Sequence, residues 1–351
     1  MDSVGVSNRL RRAGTRALRT ATGFVAERVA SSDRMMSVVY DLINGENFAG
    51  LEAHEEMLSD SVRVDAYHRG IHRNVGPGDV VLDLGTGTGV LAFMASRAGA
   101  EHVYAVEHSD FIDVAKDIAR HSGFTDVEFV RANSRDYTPP QPIDVVLHEQ
   151  MGDELFNENM LENLLDLRDR VLAPGGRILP ARFRLFVEPI SMRPEMRIRK
   201  FWNIELPDGI DLSATEHSPV AERFDIGRND QFWARPDSVA STLGTPEPIL
   251  DFDLNTLESA DALPTHFVVE RTATNDAIVD GCCIWFEAIF DDETVLTTSP
   301  LAPLTSWGNR VFRLDRELSR GETLTIDVRL HELVEPSTWD VRVRPPAPAA
   351  P

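Results

Sequence analysis

The sequence predicts an α/β domain built on a parallel sheet, followed by an antiparallel β-barrel or β-sandwich domain. From Asp79 to Pro180, short apolar runs alternate with stretches of helical character, a pattern typical of parallel strands joined by helices. From Asp251 onward, short runs with period-two alternation and frequent turn residues dominate, which indicates antiparallel strands. A chain of 351 residues is long enough for both domains.

Strands and helices follow one another in a regular order in the first domain. The predicted strands are DVVLDLG, HVYAVE, VEFVRA and IDVVLHE, and the predicted helices are GVLAFMASRAG, DFIDVAKDIARHSG and ENMLENLLDLRDRVLAPGG. Gly99 and Gly123 mark the ends of the first two helices, because glycine readily adopts the conformation that closes a helix. The segment RILPARFRLFVEPI begins the next strands, and FDLNTL, THFVVERTA, GCCIWFEAIF, NRVFRL, ETLTIDVRL and WDVRV are predicted strands of the second domain.

These changes of pattern divide the chain into four parts. We expect an amino-terminal helical segment over 1–50, the α/β domain over 51–187, the β domain over 188–343 and a disordered Pro/Ala tail over 344–351. The first segment is rich in arginine and carries apolar residues at roughly helical spacing. We expect it to form an amphipathic helix that packs on the domain, with a membrane-surface or transit role as the alternative.

Charge, hydropathy and cysteine content exclude several classes of function. The formal net charge of −22 disfavours a nucleic-acid partner, whereas a cationic substrate would be attracted. No apolar run approaches the ~20 residues that span a bilayer, and a secretory signal is not recognisable. Cys282 and Cys283 are neighbours, so a mutual disulfide is improbable and a metal site lacks ligands. These features predict a reduced, cytoplasmic protein.

A glycine-rich loop follows the first predicted strand. Gly85, Gly87 and Gly89 lie in LDLGTGTGV, between a strand and a helix. Glycines there let the backbone approach a ligand closely, in front of the helix N-terminus. NAD-binding loops look similar, so the loop alone does not identify its ligand.

Residues at the ends of the neighbouring strands narrow the choice of ligand. Glu107 ends the second strand, where a carboxylate can accept both ribose hydroxyls of an adenosine. Asn133 and Ser134 end the third strand, placed to read an adenine edge, and Asp83 lies at the end of the first. The turn LAPGG precedes the fifth strand. Together these features resemble the class I S-adenosylmethionine-dependent methyltransferases, which have a Rossmann-like fold, and they disfavour a dehydrogenase.

The fourth predicted strand leads into HEQMGDELFNEN, with Glu149 and Glu158 nine residues apart. Acids at a strand end usually form a solvated loop, and that reading would prevail for an isolated pair. Here the loop resembles the signature of the protein arginine methyltransferases, two glutamates nine residues apart around a Met-Gly step. Glu149, Met151, Gly152 and Glu158 reproduce it. The resemblance implies that both glutamates hold an arginine guanidinium.

The resemblance extends from about Ala53 to Val343. HEEMLSDSVR is similar to the family's segment before the first strand, which implies that His54 lies near the donor and that Arg63 pairs with the donor carboxylate. AGAEHVYAVEHS, RDRVLAPGGRILP and LTTSPLAPLTSWGNRVFRL also look like the family. A counterpart of its dimerisation arm falls at about 201–246, inserted in the barrel domain. In the family this arm docks on another subunit, so the resemblance implies a homodimer.

Four departures from the family pattern lie mainly on the acceptor side. The family usually has Ser, Trp and an aromatic residue around the first glutamate, where this chain has His148, Gln150 and Asp153. The family's Thr-His-Trp loop reads Thr305, Ser306, Trp307, so the histidine that supports one glutamate is absent. His148, Met151, Ser306 and Trp307 are therefore the candidates on the acceptor side. His148 could act as a base or be structural, and Met151 could face the donor methyl or fill a gap.

The other two of the four departures are family motifs that have no secure equivalent in this chain. The amino-terminal aromatic motif is not recognisable, although Tyr40 and Phe48 are candidates for it. The acid that family members place after the third strand is missing, and Asn133 is favoured over Asp136 for its role. We also expect Asp153 and Glu154 to face solvent.

The leading functional hypothesis is transfer of methyl from S-adenosylmethionine to an arginine nitrogen, in a protein, a peptide or free arginine. A guanidinium carries five donors suited to carboxylates, which supports the pair of glutamates independently of the resemblance. The first alternative is a methyltransferase that acts on a nitrogen or oxygen of another small molecule. The second is a donor-binding regulatory or scaffold subunit without turnover, against which the intact Glu149 and Glu158 argue.

Overall fold

The computed structural model of the protein describes residues 50–224 and 230–344. The predicted amino-terminal helix, the candidates Tyr40 and Phe48, and the Pro/Ala tail from residue 345 lie outside the described residues. The chain divides into an amino-terminal unit that ends at Glu55 and a second unit that begins at Glu56. Within the described ranges no helix is long and apolar enough to cross a membrane.

The α/β domain contains one parallel five-stranded sheet in the order β3-β2-β1-β4-β5. Its elements in chain order are α1 (Leu51–Ser59), α2 (Ser61–Asn74), β1 (Val80–Leu84), α3 (Val90–Ala98), β2 (His102–Glu107), α4 (Ile112–Ser122), β3 (Val127–Arg131), β4 (Ile143–His148), α5 (Met160–Val171) and β5 (Leu172–Leu179). The predicted strands and helices of this domain are confirmed except at the end of the last helix, where LAPGG begins β5 instead of ending α5. β1 is buried along its whole length, as expected for a central strand covered on both faces.

The carboxyl ends of the parallel strands meet at one edge of this sheet. Leu84 at the end of β1 pairs with Val106 of β2 on one side and with His148 of β4 on the other. The loops after β1, β2 and β4 therefore begin next to one another. Ligands of open α/β sheets bind at this edge.

The second domain is an antiparallel barrel domain. Its strands are β6 (Arg182–Met192), β7 (Gln231–Trp233), β8 (Val239–Thr242), β9 (Leu250–Asp253), β10 (His266–Thr272), β11 (Ala277–Asp291), β12 (Thr294–Thr297), β13 (Arg310–Leu318), β14 (Thr323–Arg329) and β15 (Asp340–Val343). One sheet runs β7-β13-β11-β6-β8, with β12 paired to β11 and β9 paired to β6, and a second runs β10-β14-β15. β6 begins at Arg182, so the barrel strands start earlier than residue 188.

The stretch 201–246 combines short helices with two barrel strands. The helical elements within it are 3₁₀ turns at Phe201–Asn203, Pro207–Gly209 and Ser213–Thr215 and a short helix, α6 (Pro219–Glu222). β7 and β8 pair with β13 and β6, so they belong to the barrel sheet. The helical part of the predicted arm is therefore limited, among the described residues, to 201–222.

The core of the barrel contains two adjacent cysteines and the carboxylate of Glu188, all fully buried. Cys282 and Cys283 on β11 are free and fully buried, and they face different clusters of the core, as expected for neighbours on a strand. Glu188 on β6 is 0% exposed and forms an ion pair with Arg271 on β10. The Arg271 Nε donates to Glu188 Oε2 at 2.8 Å, so this pair joins the two barrel sheets.

Candidate active site

The glycine loop after β1 presents its backbone to open space. Gly85 has a φ of +67°, which is in the left-handed region, and a Cβ added there would meet no atom within 4 Å. The Gly85 and Thr86 amides donate to the carbonyl of Val106 at 2.9 and 3.0 Å. The loop is thus held by β2 on one side and leaves room for a ligand on the other.

Asp83 supports this loop from inside the sheet. Its Oδ2 accepts hydrogen bonds from Thr86 Oγ1 at 2.5 Å and from Ala92 N, on α3, at 3.1 Å. Its Oδ1 is buried without a hydrogen-bond partner among the described residues. Burial raises the pKa of Asp83 to about 6. Asp83, at the predicted cofactor site, therefore supports the glycine loop with one carboxylate oxygen. Its other oxygen has no hydrogen-bond partner among the described residues.

Glu107 lies at the end of β2, beside the glycine loop. Its Oε2 accepts from Gly87 N at 3.2 Å and its Oε1 accepts from Ser109 N at 2.9 Å. Asn133 and Ser134 follow β3 and are partly buried. The side chain of Asn133 accepts from Arg135 N at 3.0 Å. These residues and the space before Gly85 fit a ligand with ribose hydroxyls and an adenine edge.

The loop after β4, residues 149–159, is called the glutamate loop below. Burial raises the pKa of Glu149, and Asp60 adds to this effect while Arg63 opposes it. Burial raises the pKa of Glu158 as well, followed by the charge of Glu149. The charge of Glu149 therefore acts on Glu158, as expected for two neighbouring carboxylates that repel each other. The Oε1 of Glu149 is buried and has no hydrogen-bond partner within the described part of the chain.

Arg63 on α2 provides the positive charge of the site. Its Nη2 forms an ion pair with Glu149 Oε2, and its Nη1 donates to Ser306 Oγ at 3.4 Å. The guanidinium lies over the ring of Trp307, 4.7 Å from its centroid. Arg63 therefore joins the glutamate loop to the loop that carries Ser306 and Trp307. His54 lies on α1 in the amino-terminal unit, where it is partly buried, and its role stays a prediction.

Residues 305–308, called the serine loop below, contact the glutamate loop directly. Trp307 Nε1 donates to the carbonyl of Met151 at 2.7 Å. Met151 is 2% exposed and belongs to the main core, which favours the gap-filling alternative for its side chain. Four residues predicted separately, Glu149, Met151, Ser306 and Trp307, thus lie around one site.

His148 has a structural environment. It is fully buried, its Nε2 is 2.9 Å from the Pro180 carbonyl, and the Gln150 amide donates to its Nδ1 at 3.4 Å. Burial lowers the pKa of His148 to about 4. A neutral ring that donates through Nε2 and accepts through Nδ1 satisfies both contacts. This arrangement favours the structural alternative over the catalytic one.

The expectation that Asp153 and Glu154 face solvent is wrong for Glu154, which is buried, whereas Asp153 is half-buried and bonded to the serine loop. Asp153 Oδ1 accepts a hydrogen bond from Gly308 N at 2.6 Å. Glu154 is 5% exposed, and its Oε1 lies 3.2 Å from Arg310 Nε. The partners lie on the serine loop and at the start of β13, far along the chain, so local sequence patterns did not reveal them.

Asp60 and Tyr67 also belong to the site, although neither is among the predicted site residues. Asp60 caps α2 by accepting from Arg63 N at 3.0 Å, and its other oxygen accepts from Ser306 N at 2.7 Å. An aspartate just before a helix is a typical N-cap, so half of this role was predictable. Tyr67 is buried, and its hydroxyl donates to the His148 carbonyl at 2.9 Å. Burial, followed by the charge of Glu149, raises the pKa of Tyr67 well above its ordinary value.

Comparisons with known proteins identify the same two domains. A family model described as a methyltransferase domain matches residues 81–176, and one described as an arginine methyltransferase oligomerization subdomain matches residues 182–344. Two solved structures are similar to this chain, each at 26% identity. The Trypanosoma brucei PRMT1 enzyme–prozyme heterotetrameric complex with AdoHcy has a TM-score of 0.67 and covers 80% of this chain and 88% of its own. Arabidopsis thaliana protein arginine methyltransferase 10 has a TM-score of 0.66, and the match covers 81% of this chain and 88% of the Arabidopsis chain.

Two curated relatives are similar over most of their length. Protein arginine N-methyltransferase 6 of Danio rerio is 32% identical over 283 residues, which is 78% of this chain and 80% of the relative. Protein arginine N-methyltransferase 1 of Chlamydomonas reinhardtii is 31% identical over 323 residues, with coverages of 90% and 89%. Both relatives are named protein arginine N-methyltransferases, and the matches cover 80% and 89% of their lengths. The chain belongs to the protein arginine N-methyltransferase family.

Proposed function

We propose that the protein transfers a methyl group from S-adenosylmethionine to a guanidinium nitrogen of arginine residues in proteins or peptides, with Glu149 and Glu158 holding the guanidinium. The observation that carries this proposal is the buried Oε1 of Glu149, which has no hydrogen-bond partner among the described residues. After burial, the charge of Glu149 is the largest effect that raises the pKa of Glu158. Two half-buried carboxylates that act on each other attract a cation that donates several hydrogen bonds.

Donor binding is assigned to the residues around the glycine loop. S-adenosylmethionine is the methyl donor of this family and, when bound, supplies an electrophilic methyl group on a sulfonium. Gly85, Gly87 and Gly89 would lie against it, Glu107 would accept from its ribose hydroxyls, and Asn133 and Ser134 would contact its adenine. His54 and Arg63 are proposed for the amino-acid end. The ion pair of Arg63 with Glu149 would link donor binding to the acceptor site.

The two glutamates would prepare the acceptor nitrogen for reaction. Ionised Glu149 and Glu158 hold the guanidinium in plane and draw its positive charge toward the nitrogens that they bind. The remaining terminal nitrogen then regains lone-pair character, and fixed orientation contributes much of the acceleration. Methylation leaves that nitrogen with one proton too many. A glutamate of the pair, or a nearby water, accepts this proton.

The acceptor class is tested by incubating the purified protein with methyl-labelled S-adenosylmethionine and three acceptors. These are arginine-rich peptides, free arginine, and the same peptides with every arginine replaced by lysine. We expect label on arginine nitrogens of the peptides and none on the lysine peptides. The net charge of −22 favours a cationic peptide over free arginine. Label on free arginine alone would move the acceptor to a small molecule. Label on neither arginine acceptor would contradict arginine methylation.

We further propose that the protein assembles as a homodimer through the helical part of the arm. Large apolar side chains are exposed there, including Ile210 at 55% and Val220 at 61%, and Phe224, just after the helical part, is 78% exposed. A cleft of about 270 Å³ on the α/β domain has an apolar lining that includes Phe93 and Phe124. Exposed apolar surface of this kind is typical of an interaction site.

Sedimentation of two matched variants tests the dimer. Val220→Asp places a charge on the arm, and Val295→Asp places one on β12, where the valine is also exposed, at 42%. We expect the unmodified protein and Val295→Asp to sediment as dimers and Val220→Asp as a monomer. Equal masses for the two variants would contradict a dimer formed through the arm.

A further inference from the structure

The glutamate loop is attached to the barrel by two acidic residues that the proposed chemistry does not use. Asp153 accepts a hydrogen bond from the backbone of Gly308 at 2.6 Å, and Glu154 forms an ion pair with Arg310 at 3.2 Å. Both lie between Glu149 and Glu158 in the sequence. Any movement of this segment would therefore move at least one of the two glutamates.

Arg310 is a fixed anchor for this attachment. Its side chain is 7% exposed and that of Glu154 is 6% exposed. Its Nη2 donates to the carbonyl of Pro336 at 2.7 Å, and its guanidinium lies 4.8 Å from the ring centroid of Phe312. Because Arg310 begins a strand of the large barrel sheet, Glu154 is held by the barrel framework.

The serine loop is fixed on both sides. On one side Ser306 N donates to Asp60, the cap of α2, at 2.7 Å. On the other side Gly308 N donates to Asp153. A Cβ at Gly308 would lie 2.8 Å from the ring of Trp233, so this approach requires glycine. The serine loop thus joins α2 to the glutamate loop through the backbone amides of Ser306 and Gly308, in addition to the contact between the Ser306 hydroxyl and Arg63.

Asp153 also acts on Glu158 through its charge. After burial and the charge of Glu149, Asp153 contributes to the raised pKa of Glu158. A carboxylate with such an effect lies near the acceptor pair. Asp153 occupies a position where the family usually has an aromatic residue, and it lies opposite a loop in which serine replaces histidine.

We propose that Asp153 and Glu154 are positioning residues that hold Glu149 and Glu158 against the barrel, so that the acceptor pair keeps its geometry with serine at position 306. This inference rests on the proposed function, because it assigns to the two glutamates the grip on the acceptor. Glu154 supplies the buried anchor to Arg310. Asp153 supplies the hydrogen bond that ties the glutamate loop to the serine loop.

Three variants test the role of Asp153. Asp153→Ala removes the acceptor oxygen, Asp153→Asn keeps one, and Asp261→Ala changes an exposed aspartate on the barrel surface. We expect Asp153→Ala to lower kcat/KM for an arginine peptide by about tenfold or more, the scale of a lost hydrogen bond to a charged group. Affinity for S-adenosylhomocysteine, measured by calorimetry, should stay within about twofold. Asp153→Asn should recover most of the loss, and Asp261→Ala should match the unmodified protein.

Hydrogen exchange provides a readout that does not depend on turnover. We expect the backbone amides of residues 149–159 to exchange faster in Asp153→Ala than in Asp261→Ala, because the tie to Gly308 is lost. If the unmodified protein methylates no arginine, the proposed function fails while this measurement still tests Asp153. Unchanged exchange in Asp153→Ala would overturn the inference. So would equal losses of kcat/KM in Asp153→Ala and Asp153→Asn, since charge alone would then be responsible. Glu154→Leu is less suitable, because it removes the negative charge that pairs with the buried Arg310 guanidinium.

Discussion

Arg63 and Glu149 form an ion pair through Nη2 and Oε2, which leaves the other oxygen of Glu149 buried and without a hydrogen-bond partner among the described residues. The charge of Arg63 lowers the pKa of Glu149 against the effect of burial. Arg63 therefore favours the ionised form of a carboxylate that is proposed to bind a cation. The same guanidinium touches Ser306 and Trp307, so it couples three parts of the site.

Removal of the Arg63 charge should move the pH dependence of the reaction. In Arg63→Met the pKa of Glu149 should rise further, so the rise of kcat/KM for the acceptor should shift to higher pH. The acceptor needs ionised glutamates, and kcat/KM reports groups of the free enzyme. Arg63→Lys keeps the charge without the planar fork, and its profile should lie between the two. Profiles that coincide for all three proteins would contradict this coupling.

Glu158→Gln should stabilise the protein at high pH. The pKa of Glu158 in the folded protein lies above its ordinary value of 4.5, so the folded state binds this proton more tightly than the unfolded state does. Its contribution to stability is fully present below 4.5 and is lost as the pH rises through the raised value. The Tm of Glu158→Gln minus that of the unmodified protein should therefore increase from pH 4.5 to pH 9. A difference that stays constant over this range would be inconsistent with the raised pKa.

Replacement of His148 should affect stability and leave catalysis nearly intact. Both ring nitrogens already have partners, Pro180 and Gln150. His148→Gln should lose about 1–3 kcal/mol of stability at pH 8, the cost of a disturbed buried hydrogen bond. Because the pKa of His148 is lowered to about 4, its contribution is present above its ordinary pKa and is lost as the pH falls toward 4. The deficit should therefore shrink at pH 5. A kcat about 100-fold lower with unchanged stability would instead indicate a base.

Arg271→Met should destabilise the barrel by about 3–5 kcal/mol, because it leaves the fully buried Glu188 without its partner. Chemical denaturation measures this loss. The double variant with Glu188→Gln should recover much of it, since no buried charge then remains. Arg329→Met is a suitable control, because Arg329 pairs with Asp327 on the exposed surface and surface pairs contribute about 0–1 kcal/mol. Equal effects of the two arginine substitutions would refute the assignment.

Much of the fold was predictable because its signals are local. The alternation of apolar runs and helices located β1 to β4, and glycines marked the ends of α3 and α4. Strand limits were less accurate where pairing decides them. β11 spans 15 residues, Ala277–Asp291, which is longer than the predicted run GCCIWFEAIF, because Ala277 to Val279 pair with β13 and Asp291 pairs with β12.

The parts of the site that sequence did not reveal depend on distant partners. Asp153 and Gly308 are 155 residues apart, and no periodicity connects them. Asp153 and Glu154 look like solvated acids until the barrel strand brings Arg310 and the serine loop against them. His148 looked like a possible base because no local pattern in the sequence shows that its ring is buried and bonded to Pro180. Residue types and spacing identified the groups of the site, whereas tertiary packing decided which of them are structural.

The most direct test of the central claim compares Glu149→Gln and Glu158→Gln with the unmodified protein. Each substitution keeps the size of the side chain and removes the negative charge proposed to hold the guanidinium. Methyl transfer to an arginine peptide and binding of S-adenosylhomocysteine should be measured on the same preparations. We expect kcat/KM to fall by about 100-fold or more in both variants, with binding of S-adenosylhomocysteine retained. Arginine methylation that persists in both variants would contradict the assignment of Glu149 and Glu158.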